Sequence, residues 1–156
     1  MRKIALFGFV FSTLLLASVG QTQKAQSPKC LDAQDQGSAE YARRLRALNA
    51  VRLINTALMI HKHQFGRFAG WDELTTSAAL KQAGEMGASF AEAYNVMSLA
   101  PNTDLLPGFT LHLVTDGTTY SLLLRDKTDP CGFSQFSNEV GIIYNGYPID
   151  RTLLAR

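Results

Sequence analysis

Three histidines, two cysteines and a run of helix arginines have the types and spacings that could do chemistry in this chain. A closed metal site needs about four convergent ligands. His61 and His63 lie two apart, so on a helix they point in nearly opposite directions and do not share an ion. His112, between Leu111 and Leu113, reads as an outward residue of a strand. No metal is expected, and the helix-end imidazoles are expected in water near the negative helix terminus. Arg43, Arg44, Arg46 and Arg52 read as a basic patch for an acidic partner or lipid head groups, or as a solvated face whose stems cover neighbouring carbon. Phe65, Phe68, Trp71, Tyr120, Phe133, Phe136 and Tyr144 fall where a helix would meet a sheet. Core packing is the stronger reading for them, a ligand groove the weaker. There is no glycine-rich phosphate loop, paired-carboxylate motif, metalloprotease signature or serine-centred elbow. No catalytic, cofactor-binding or metal-ligating residue is therefore assigned, and the balance falls toward a non-enzymatic domain.

The elements that would position these residues are an N-terminal helix and a C-terminal sheet. Ala47, Val51, Ile54, Leu58 and Phe65 recur at helical spacing between Ala39 and Gln64. Arg46, Asn49, Thr56 and Gln64 lie across from them, with Leu53 and Ile60 interrupting that polar side. Ser38 reads as the N-cap, Glu40 as a first-turn acid, and Gly66 as a left-handed cap. Short helices are expected from Asp72 to Leu74, Thr76 to Glu85 and Ser89 to Ala100. Phe109 to Val114 and Thr119 to Arg125 alternate around Asp116-Gly117, a hairpin signal. Cys131 to Ser137 and Ile142 to Tyr144 form a second hairpin around Asn138 to Gly141. The expected fold class is α+β, a long helix packed on a roughly four-stranded antiparallel sheet.

The chain start has the pattern of a secretory signal peptide: a basic Met1-Arg2-Lys3, an apolar run from Ile4 to Ala17, then small residues to Gly20. The run is shorter than the ~20 apolar residues of a spanning helix. The expected organisation is a leader over 1–20, a polar linker over 21–38, one domain over 39–150 and a tail over 151–156. Loss of Arg2 and Lys3 brings the formal charge from +2 to zero, so nothing favours a nucleic-acid partner. In an exported chain Cys30 and Cys131 are expected to pair as a disulfide rather than act as nucleophiles. Periplasmic or extracellular localisation follows from the leader.

The order of elements resembles a type IV pilin or pseudopilin head. Asn49-Ala-Val-Arg-Leu-Ile-Asn-Thr-Ala57, then His63-Gln-Phe-Gly-Arg-Phe68 and Trp71-Asp-Glu-Leu74, is similar to that family's helix exit. Tyr120-Ser-Leu-Leu-Leu124, Cys131-Gly-Phe133 and Phe136-Ser-Asn-Glu-Val-Gly-Ile-Ile-Tyr144 resemble its sheet and turn. The family's prepilin helix is missing: the fifth residue from Phe9 is Thr13, and no acid precedes Asp32. The resemblance implies an exported structural or interaction domain, a component or accessory of a cell-envelope or secretion assembly. It implies a protein partner, with transient membrane contact unless the apolar segment is retained. Val51, Ile54, Leu58 and Trp71 are expected in the core, and Gly84 to Leu106 as the contact surface. The alternatives are a small secreted enzyme or ligand-binding protein using the helix–sheet groove, and a membrane-anchored pseudopilin with atypical processing. No cofactor is expected.

Overall fold

The computed structural model describes residues 38–100, 103–129 and 131–147. Expectations for the leader, the linker with Cys30, the Ser38 side chain and the C-terminal tail lie outside them. The fold is α+β, as its hydrophobic spacing predicts. Helix α1 spans Ser38–Phe65, followed by α2 (Trp71–Thr76), α3 (Ala79–Gly84) and α4 (Ala88–Val96). Strands β1 (Phe109–Thr115), β2 (Tyr120–Asp126), β3 (Ser134–Asn138) and β4 (Ile143–Gly146) form an antiparallel meander in the order β1-β2-β3-β4.

The turn residues act as their chemistry predicts. Gly66, at φ 75°, ends α1 in the left-handed region that a side chain would strain, and its N–H reaches the Lys62 carbonyl at 2.8 Å. In the β1–β2 turn Gly117 has φ 88°, while Asp116 Oδ1 accepts the N–H groups of Thr119 (2.7 Å) and Thr118 (2.8 Å). Those N–H groups and the Thr118 hydroxyl hold the Asp116 carboxyl well below the usual carboxylate range.

Ala47, Ala50, Val51, Leu53, Ile54, Ala57 and Leu58 of α1 are fully buried. They meet two layers: α3 and α4 on one side, β2 and β3 on the other. This two-sided contact explains why Leu53, on the nominally polar side, is also covered. The sheet contributes Tyr120, Leu122 and Leu124, and the α1–α2 connection adds Phe68, whose ring meets Tyr120 edge-on at 4.8 Å.

Two expectations are corrected. Phe65, on the last turn of α1, stacks on His61 but remains 62% exposed. Trp71 is only half-buried and packs against the rim of the core. In the segment from Gly84 to Leu106, α4 answers the helix expected over Ser89 to Ala100; it docks on α1, and Ala93, Met97, Leu105 and Leu106 are buried.

Candidate functional site

The helix–sheet seam holds core side chains, and open surfaces lie on the outer face of the sheet and along its β1 margin. The charged groups nearest the seam are committed to structure. Arg43, on the second turn of α1, reaches Glu40 through Nε (2.9 Å) and Nη2 (2.8 Å). It also reaches both carboxylate oxygens of Asp126, with Nη1 at 3.1 Å from Oδ1, and covers the Phe109 ring at 4.6 Å. Arg44 binds Glu40 through Nε at 2.9 Å and Asp129 through Nη2 at 2.7 Å, over the Phe133 ring. The Asp126 and Asp129 side chains are fully buried.

Burial alone would raise the Asp126 carboxyl, but hydrogen bonds from Arg43 and Thr128 outweigh it and hold it below its ordinary range. Hydrogen bonds from Arg43, against a smaller desolvation, hold Glu40 low as well. This cluster fastens the start of α1 to the β2–β3 connection. It removes Arg43 and Arg44 from the expected basic patch, since their partners lie 83 and 85 residues away. Arg46 and Arg52 remain exposed. Cys131 sits at the same corner, its N–H on Asp129 Oδ1 at 2.8 Å. Its expected partner, Cys30, lies outside the described residues.

The histidines separate. His61 is buried, 1% exposed, contrary to the expected solvated ring. Its Nδ1–H donates to the Arg67 carbonyl at 3.0 Å, and Nε2 lies 3.4 Å from Glu73 Oε1. The chain reversal at Gly66 folds residues 67–73 over it, a tertiary event that no periodicity reports. His63 and His112 are exposed. Among the described residues no group of three or more His, Cys, Asp or Glu side chains gathers as a metal would need.

Two of the open surfaces bear on function. The first is the outer face of the sheet, where Leu123, Phe136, Tyr144 and Tyr147 border a shallow hollow of about 290 Å³. Phe136 and Tyr144 are 37% and 54% exposed, with their rings 6.4 Å apart. Val140 and Ile142, in the β3–β4 turn, are exposed as well. The second is a groove of about 710 Å³ along β1, walled by Trp71 and Asp72 of α2 and by Ser98, Ala100, Thr103 and Asp104. It exists because α1 crosses β2 and β3 and leaves the β1 margin uncovered. Of the expected Gly84–Leu106 contact region, Ser98, Ala100, Thr103 and Asp104 line this groove.

The aromatic residues divide accordingly: Phe68 and Tyr120 are core, whereas Phe136 and Tyr144 face outward. Sequence reasoning missed the outward pair because it placed all seven rings between helix and sheet. The alternation of β3 carried the signal, since Gln135 and Ser137 share one face and Phe136 takes the other. No protein-family model matches the chain, and comparison with curated proteins and with solved structures finds no match either. Among the described residues, no helix is long and apolar enough to cross a membrane.

Proposed function

We propose that this chain is an exported, non-enzymatic interaction domain of the pilin- or pseudopilin-head type, a component or accessory of a cell-envelope or secretion assembly. The observation that carries the reading is a rigid helix-on-sheet body with an apolar outer face of Leu123, Phe136 and Tyr144 that nothing in the described chain covers. Contiguous apolar surface of this kind marks a contact site in proteins that work by association. The leader-like start and the motif order supply the rest.

In this reading a Cys30–Cys131 disulfide fastens the segment before α1 to the corner already held by Arg44 and Asp129. Closing so long a loop contributes about 4–5 kcal/mol in the chain-entropy model. The test is the intact mass of the exported protein with and without reductant. A chain starting at Gln21 that gains two hydrogens on reduction sustains the proposal. A chain starting at Phe9, or one keeping the apolar run, replaces it with a membrane-anchored pseudopilin.

A further inference from the structure

The groove along β1 has an open strand edge as its floor. Lys127 N–H bonds the Gly108 carbonyl at 2.8 Å, and Asp116 N–H points to the Thr119 carbonyl, so even-numbered β1 residues face β2. The alternation of an antiparallel ladder then turns the N–H and C=O groups of Phe109, Leu111 and Leu113 to the free edge. Those of Phe109 are taken by Leu106 (2.8 Å) and Leu105 (3.0 Å). Leu111 and Leu113 have no backbone partner across that edge among the described residues. Their side chains are packed against the core, so the edge is held rigid. Natural proteins usually blunt or cover such edges, because an exposed one is a template for another strand.

We infer that the β1 edge accepts an extended peptide segment of a partner protein as a fifth strand, with a basic residue of that segment at Asp72. This goes beyond the pilin-like reading and does not depend on it. The occupant is a single strand rather than a second copy for a steric reason. The edge is recessed between Trp71 and Asp72 on one side and Ser98, Ala100, Thr103 and Asp104 on the other, and a second copy would bring the same walls against them. Charge sets the direction. At the Thr110 end Asp104 is already paired with Lys127 at 2.7 Å. At the Val114 end, placed beside α2 by the Phe68 N–H to Gly117 carbonyl bond of 2.8 Å, the exposed Asp72 carboxylate has no cationic partner among the described residues. Main-chain pairing would supply the affinity, and contacts with Trp71 on one face and with His112 and Val114 on the other would supply selectivity.

The test selects displayed random eight-residue peptides on the folded chain, then follows backbone amide exchange with the enriched peptides synthesised. The proposal expects a Lys or Arg near one end of the enriched sequences and slowed exchange at Leu111 and Leu113. Methylating alternate peptide nitrogens, which leaves the protein untouched, should weaken binding about tenfold or more, since each lost main-chain bond is worth about 1 kcal/mol. Asp72→Lys, at an exposed position, should weaken it about twofold to fivefold, as for the loss of an exposed charge pair. Three results would overturn it: no enriched sequence, binding that leaves the Leu111 and Leu113 amides unprotected, or protection that grows with protein concentration alone. The last would assign the edge to a second copy.

Discussion

The two faces of the sheet are made from the same strands, yet they obey different rules. On β2 the inward residues Tyr120, Leu122, Leu124 and Asp126 are all buried, while Ser121 and Arg125 are exposed on the outer face. On β3 the usual sense is inverted: Gln135 and Ser137 are the buried residues and aromatic Phe136 faces out. The position of α1, rather than hydrophobicity, therefore decides which face is dry. Polar side chains survive beneath it because partners meet them. Asn55 donates to Ser137 Oγ at 2.8 Å, Tyr120 donates to Asn55 Oδ1 at 3.1 Å, and Ser137 donates to the Ile142 carbonyl at 3.0 Å. Gln135 is less completely served: Nε2 lies 3.5 Å from the Arg44 carbonyl, and Oε1 has no partner among the described residues. Apolar side chains remain outside because nothing in the described chain displaces their water.

Mutations placed in pairs across the sheet test this contrast, and urea unfolding measures it. Leu122→Ala empties a fully buried site and should cost about 3–4 kcal/mol, whereas Leu123→Ala on the outer face should cost well under that. Equal losses would mean the outer face is covered too. Asp126→Ala strands Arg43 beside a vacated buried site and should cost about 3 kcal/mol, discounted because Arg43 keeps Glu40 and some solvent. Its outward neighbour Arg125→Ala should change stability by less than about 0.5 kcal/mol. Ser137→Ala leaves Asn55 short of a buried partner and should cost about 1–2 kcal/mol.

Acid should separate the faces as well. Asp126 and Glu40 are held below their ordinary values in the folded state, so their contribution is complete above the unfolded carboxylate range near pH 4. It falls away as pH drops through the depressed folded values. Melting temperature followed from pH 6 to pH 2 should therefore decline in acid, and Asp126→Asn should flatten that decline; an unchanged slope would remove the cluster from the account. The smallest effect belongs to Phe136→Ser, expected within about 0.5 kcal/mol of the parent while removing much of the apolar outer patch. Loss of association without loss of stability in this variant would sharpen the assignment of that face as a contact surface.

Much of the scaffold was legible without coordinates. Apolar spacing from Ala47 to Leu58 predicts α1, and Gly66 predicts its end. Alternation around Asp116-Gly117 and Asn138 to Gly141 places the two hairpins within a few residues of their observed ends. These are local signals, written in side-chain period and in the backbone freedom of glycine. Little of the candidate site was legible in the same way. The basic patch dissolved because Asp126 and Asp129 return to Arg43 and Arg44 from far along the chain. His61 changed from a solvated ring to a buried one because residues 67–73 fold back over it.

Helix, strands, turns and the residues that share a strand face follow from local order along the chain, since periodicity and backbone freedom act over a few neighbours. Which face α1 dries, that Arg44 is buried and that the β1 edge stays open come from long-range packing. Those outcomes depend on where one long helix comes to lie across four strands, and that position is set by contacts between residues distant in sequence.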